Sequence, residues 1–249
     1  MTGLKQGAAA IGRSLDTYYR DRERTQRMDE LNAAFVPKGG LAFDIGAHVG
    51  DRTASFLRLG ASVVALEPQP RVFRALKLIH GRTSEAFLLR QAAGAQPGEI
   101  TMHLNTNNPT VSTASQDLIA TAASANEWKD QVWDSQLQVP VTTLDHLIAK
   151  HGAPDFVKID VEGQELDVLL GLSTPITALS FEFTTIQRDV ALACIDRLNG
   201  LGRYEFNVSL GEEHLLRHQT WIGPPDIRNQ IASFPSDVNS GDVYARQVL

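Results

Sequence analysis

Leu41-Ala42-Phe43-Asp44-Ile45-Gly46-Ala47-His48-Val49-Gly50-Asp51-Arg52-Thr53 reads as a short buried strand that runs through a tight glycine turn straight into a helix. Such a unit places backbone N–H groups and an acidic side chain at the mouth of a sheet, where α/β proteins bind nucleotides. The glycine spacing is not that of a dinucleotide fingerprint. His48 stands where a middle glycine would let the backbone approach a pyrophosphate. Asp44, two residues before the first glycine, ends the strand in a carboxylate, which suits a positively charged ligand better than a phosphorylated one. S-adenosyl-L-methionine, with its ammonium and sulfonium groups, has that character.

The elements that follow repeat the pattern. Residues 50–59 read as a helix closed by Gly60, Ser62-Val63-Val64-Ala65-Leu66 as a second buried strand, and Pro70 as the start of a helix whose Val72, Phe73, Leu76 and Ile79 face the sheet. Ala86-Phe87-Leu88-Leu89 is a third strand, so parallel βαβ units with right-handed crossovers are expected. Glu67, which ends the second strand 23 positions after Asp44, stands where nucleotide-binding folds place an acid that accepts hydrogen bonds from ribose hydroxyls. Gln91, just after the third strand, is a candidate for adenine by position.

Beyond Pro97, Glu99 to Leu104 alternates like an edge strand that pairs with Val139 to Val141. Residues 105–137 are rich in Asn, Thr, Ser and Ala, with Trp128 and Trp133 as their large aromatics. This insertion reads as a lid or substrate-recognition segment, because tryptophans bury against something. With the tail from Trp221 to Phe234, it is expected to determine the acceptor. Thr143 N-caps a helix over 144–150, and Asp155 to Asp160 is the next strand. Asp160 and Glu162 stand at the carboxyl edge of that strand, where two acids can hold a cationic ligand, act as a general base toward a hydroxyl, or hold a hard metal ion. Glu165 is read as complementing a helix dipole. Lys158, inside the apolar strand, is expected to snorkel or to pair with an acid, Cys194 to pack in the core, and His48 to form a pocket wall. No metal is assigned, although Asp160, Glu162 and Glu182 have oxygens suited to Mg²⁺.

Upstream, residues 1–36 read as a helical lead-in, with Ile11, Leu15, Tyr18, Met28, Leu31 and Phe35 at helical spacing. Its mixed charged run from Arg20 to Glu30 reads as a solvated face with local ion pairs. Pro37-Lys38-Gly39-Gly40 then opens the main domain, residues 37–249. A hydrophobic share of 43% and a charged share of 21% are ordinary for a soluble protein, and the net charge of −6 argues against a nucleic-acid binder. A single cysteine excludes a disulfide framework and a Cys-rich zinc site. No apolar run suits a membrane span and no secretory core follows the N-terminus, so a cytoplasmic enzyme is expected. The oligomeric state is left open, a homodimer included.

Phe43-Asp44-Ile45-Gly46-Ala47-His48-Val49-Gly50-Asp51, Leu66-Glu67-Pro68, Thr142-Thr143-Leu144-Asp145 and the run from Val157 to Glu165 together resemble the FkbM family of S-adenosylmethionine-dependent methyltransferases. Lys158-Ile159-Asp160-Val161-Glu162-Gly163-Gln164-Glu165 carries the most specific part of the resemblance, which covers about Leu41 to Phe183. It implies a class I methyltransferase fold: an α/β, Rossmann-like, mostly parallel seven-stranded sheet of order 3-2-1-4-5-7-6, the seventh strand antiparallel, with helices on both faces. It further implies methyl transfer to a hydroxyl oxygen of a small molecule, sugar or secondary metabolite. The expected cofactor-binding set is Asp44, Gly46, His48, Gly50, Thr53, Glu67, Pro68, Gln91 and Asp160, with Asp160 or Glu162 as the catalytic base. Two rivals are an NAD(P)-dependent oxidoreductase on a similar fold and a non-catalytic methyltransferase-like assembly module. The glycine spacing speaks against the first, and the competent residue at each expected position against the second.

Overall fold

In a computed structural model, which describes residues 2–248, the lead-in is two helices, α1 (Thr2–Tyr19) and α2 (Arg22–Ala33). Met1 and Leu249, the outermost residues of the two expected segments, lie outside the described residues. Asp21 caps the second helix, its carboxylate accepting from the Arg24 N–H at 2.9 Å. The chain then alternates through β1 (Leu41–Ile45), α3 (Asp51–Arg58), β2 (Ser62–Leu66), α4 (Pro70–His80) and β3 (Ala86–Leu89). It continues through β4 (Ala92–Ala93), β5 (Gly98–Leu104), α5 (Gln116–Ala122) and β6 (Ser135–Thr142). The last stretch holds α6 (Leu144–His151), β7 (Phe156–Ile159), α7 (Glu165–Leu170), β8 (Ala178–Thr184), α8 (Arg188–Leu201), β9 (Tyr204–Leu210), α9 (Pro224–Ser233) and β10 (Ser240–Gln247).

The main sheet runs β3-β2-β1-β7-β8-β10-β9, parallel except for β10, which is antiparallel to both of its neighbours. Counted without β4, β5 and β6, this is the order that the resemblance implies. Those three strands form a separate sheet, β4-β6-β5, which the sequence reading did not anticipate as such. The expected pairing of residues 99–104 with 139–141 is present but longer, reaching Leu104↔Ser135, so the end of the insertion is itself strand.

Strands of a parallel sheet covered on both faces are apolar on both faces. On one face Phe43, Ile45, Val64, Leu66, Val157, Ile159, Leu179 and Phe181 form the larger core. On the other, Ala42, Val63, Ala65, Phe156 and Tyr244 pack under the lead-in, where Phe35 stacks on Phe156 at 5.0 Å and on Tyr244 at 5.5 Å. Strand alternation on this second face also sets a row of polar groups: Asp44 is in register with Lys158, Lys158 with Ser180, and Ser180 with Tyr244. This row lies just below the carboxyl edge of the sheet.

The charged run of the lead-in departs from the expected solvated face. Arg20 and Asp16 do pair locally at 3.0 Å, but Arg24 is 5% exposed and binds Asp51 at 2.9 Å and Glu212 at 2.5 Å. The cause is packing: α2 lies on α3, with Asn32 bonded to Ser55 at 2.8 Å and Arg58 to Asp29, so one charge in the run must face inward. Lys158 does not snorkel; it is 2% exposed and its Nζ reaches Asp242 at 2.7 Å and Asp160 at 3.1 Å. Cys194 is buried on α8, as expected. Among the described residues no helix is long and apolar enough to cross a membrane.

Candidate functional site

At the carboxyl ends of β1, β2 and β7 opens a cleft of about 1040 Å³ when the solvent at its mouth is counted. Its centre is the turn after β1. Gly46 has φ +88°, and a Cβ there would overlap the backbone carbonyl of Asp160, so the turn and the exit of β7 meet backbone to backbone. Gly50, at φ +85°, has a different task. A Cβ there would strike Leu76 and His80, so this glycine seats the turn on α4 and does not line the cavity.

Two carboxylates flank the turn. Asp44 is buried, accepts from the Thr53 hydroxyl at 2.5 Å, and is pushed up to about 6 by burial, against the pull of that bond. Thr53, placed in the expected cofactor set, is fully buried and holds Asp44 from behind. Glu67 is buried at the end of β2, where it accepts from the His48 N–H at 3.1 Å and the Gln69 N–H at 2.7 Å. Burial pushes it up to about 8 despite those bonds. Pro68 and Gln91 line the same end. Sequence reasoning missed the apolar wall beside them, Ile100, Met102 and Val139, because an edge strand gave no sign of which face it turned to the cavity.

The insertion contributes Thr110, Ser112 and Ala114 to this end, and Gln69 reaches across to the Pro109 carbonyl at 3.0 Å. Its tryptophans are anchors: Trp128 packs on Leu118 and Ala122, and Trp133 bonds the Val111 carbonyl at 2.8 Å. The tail from Trp221 to Phe234, expected to help determine the acceptor, does not line this cavity. Trp221 packs edge-on to Phe35 and Phe234 stacks on Phe183, because α9 needs an apolar partner and finds it on α8.

The other end holds the acids. Asp160 lines the cavity and binds Lys158, while Glu162 is buried, with φ +56°. Burial, then the neighbouring Asp160 and Glu165, push Glu162 well above the usual carboxylate range. Glu182, from β8, is raised well above it too, by burial and then by Asp160 and Glu162. Carboxylate oxygens of Asp160, Glu162 and Glu182 all lie within 4.8 Å of one another. Glu165 does more than complement a dipole: it is buried and accepts from the N–H groups of Val161 and Gly163, folding the loop around Glu162.

His48 forms a wall, with both ring nitrogens unpartnered among the described residues, and burial lowers its basicity. Its ring meets that of Tyr18 edge-on at 5.9 Å, with the Arg24 guanidinium over the opposite ring at 5.1 Å. Tyr18, Arg52, Gln164 and Glu212 complete this end and were not singled out for it in sequence. Arg52 sits inside the opening stretch itself and was readable as a neighbour. Tyr18 showed only as one position of a helix face, and Glu212 gave no signal.

The methyltransferase FkbM domain model matches residues 44–195 of the chain. No curated protein matches it significantly. Solved structures similar to it include a precorrin-6y C5,15-methyltransferase from Geobacter metallireducens, 11% identical over 89% of this chain and 86% of that one, TM-score 0.47. A TehB-like SAM-dependent methyltransferase from Corynebacterium glutamicum is 10% identical over 100% of both chains, TM-score 0.47. An rRNA methylase from Streptococcus thermophilus is 11% identical over 89% of this chain and 94% of that one, TM-score 0.44.

Proposed function

The chain belongs to the methyltransferase FkbM family, and from that premise we propose that it binds S-adenosylmethionine in this cavity and methylates a hydroxyl oxygen of a small molecule or glycan. The observation that carries the reading is the pair of buried carboxylates, Asp44 and Glu67, on either side of a glycine turn with no room for a side chain. The donor set fits the cofactor part by part. Glu67, held by two backbone N–H groups, has the place and the oxygens to accept ribose hydroxyls. Ile100, Met102 and Val139 offer an apolar slab for a purine, with Gln91 at its polar edge. Asp44 and Asp160 bring negative charge to the side where an ammonium would lie. When bound, the cofactor supplies a sulfonium-activated methyl group.

What remains for the protein is mainly placement, since orienting an acceptor oxygen beside an activated methyl provides most of the rate. Proton removal adds about 10²–10⁴-fold. Glu162 and Asp160 are the groups for it. Glu162, raised by burial and by Asp160, is a stronger base than an ordinary carboxylate, and Asp160 is itself held by Lys158. On the same reading residues 37–249 form the methyltransferase domain, residues 1–36 deliver Tyr18 to its acceptor end, and the insertion over 105–137 covers the cofactor as a lid. Calorimetric titration tests the core of this proposal. S-adenosylhomocysteine should bind and NADH should not, and labelled methyl should pass to a hydroxylated acceptor; NADH binding without S-adenosylhomocysteine binding overturns it.

A further inference from the structure

Around the inner end of the cavity, three buried cations answer three anions. Lys158 meets Asp242 at 2.7 Å, Arg24 meets Asp51 at 2.9 Å and Glu212 at 2.5 Å, and Arg52 lies 3.6 Å from Asp242 and 3.7 Å from Glu212. Asp160, Glu162 and Glu182 stand outside that balance. Their oxygens lie within 4.8 Å of one another, and among the described residues the one cation in ion-pair contact with any of them is Lys158, 3.1 Å from Asp160 and already engaged by Asp242. Carboxylates this close in a partly desolvated site need a proton or a counter-ion between them.

An independent feature points to the same place. Gln187 is 6% exposed, and its side-chain amide oxygen has no hydrogen-bond partner among the described residues. With Glu182, Glu165 and Gly163 it lines a small second cavity behind the acids. A Cβ on Gly163, the residue after Glu162, would come within 2.5 Å of that oxygen and within 3.3 Å of Ser115, so the oxygen stands against the loop that carries Glu162. A buried oxygen left unpaired is costly, and a cation is one of the few partners that would serve it and the carboxylates together.

We propose that Asp160, Glu162 and Glu182, with the Gln187 amide oxygen at their inner side, form a binding site for a hard divalent cation of the Mg²⁺ or Mn²⁺ class. An all-oxygen donor set selects such ions over softer metals. The site itself stands on this geometry. Its consequence rests on the methyl-transfer reading: because Asp160 and Glu162 face the large cavity, coordination positions left open by the protein would hold the acceptor's hydroxyl oxygen and favour loss of its proton.

The test uses the full chain, freed of metal by chelation and titrated with Mn²⁺ at neutral pH, with free Mn²⁺ read from its paramagnetic resonance signal. One Mn²⁺ should bind per chain and be displaced by excess Mg²⁺. Binding should weaken roughly tenfold or more in Glu182→Gln and in Asp160→Asn, each checked for native fold by circular dichroism. Absence of bound Mn²⁺ in the unaltered protein, or undiminished affinity in a folded variant, overturns the site; the unaltered protein decides if neither variant folds. Titrating the metal-free sample with S-adenosylhomocysteine keeps the two proposals apart. Cofactor binding without Mn²⁺ binding defeats the cation site alone, and Mn²⁺ binding without cofactor binding defeats the methyl-transfer reading alone.

Discussion

At the Glu67 end of the cavity, Asp44, Gly46 and Glu67 come from two adjacent strand ends joined by one helix, and their partners are Thr53 and the N–H groups of His48 and Gln69. At the Glu162 end, Tyr18, Arg52, Asp160 and Glu212 come from segments spread along most of the chain, tied by ion pairs between α2, α3, β10 and the loop after β9. The first end is a local construction that one strand–turn–helix unit nearly completes. The second exists only once the lead-in has docked. Damage at the first should therefore fall on one ligand, whereas damage at the second should couple binding, turnover and stability.

Gly46→Ala should give the largest effect, since its Cβ would overlap the Asp160 carbonyl at a backbone φ of +88° that alanine resists. A loss of about a hundredfold or more in S-adenosylhomocysteine affinity is expected by calorimetry. Binding at the unaltered level would break the claim that this turn is the cofactor's seat. Next, Glu162→Gln should lower kcat by about a hundredfold while leaving S-adenosylhomocysteine affinity within about twofold. An unchanged kcat would remove Glu162 as the base.

Arg24→Ala sharpens the comparison from the side of stability. It leaves buried Asp51 without its partner, and a loss of about 2 kcal/mol is expected by urea unfolding, below the cost of a fully buried pair because the Glu212 side chain is 48% exposed. Arg24 also lies over Tyr18, so KM for the acceptor should rise while cofactor affinity stays. If neither moves, the lead-in is no part of the site.

The first end should also show a pH dependence. Burial holds Glu67 at about 8 against an ordinary value of 4.5, so the folded state retains a proton that the unfolded chain gives up. Its contribution to stability is complete below about pH 4.5 and is lost as pH rises through about 8. Without cofactor, the melting temperature of the unaltered protein should therefore fall relative to that of Glu67→Gln by roughly 10 °C or more across that range. Parallel melting curves at acid and alkaline pH would show that Glu67 is not desolvated.

The turn after β1 was legible because a dense local code, apolar strand, acid, glycine and helix start, dictates one backbone path. Glu67 followed from it, because parallel βαβ units set the spacing between successive strand ends. The same logic placed Asp160 and Glu162 and grouped Glu182 with them by its oxygens, but could not give the 4.8 Å within which the three meet. Glu182 lies on the next strand, and nothing along the chain states how far two carboxylates on neighbouring strand ends will stand apart. Thr53 and Gly50 looked like ligand contacts since they lie beside the turn. Only packing showed that Thr53 also props Asp44 and that Gly50 seats the turn on α4.

By itself the sequence determined the parallel βαβ units, the glycine turn and the acids at the strand ends, because periodicity and turn chemistry are local and add up over short windows; the order of the strands came only from the family resemblance. Tertiary structure alone decided that Arg24 leaves the solvent face of a charged helix, that Tyr18 and Glu212 close the second end, and that Asp160, Glu162 and Glu182 converge. Each of those outcomes depends on which charges burial brings together. Desolvation then forces them to pair, to hold a proton or to take a cation, a choice that no single segment makes alone.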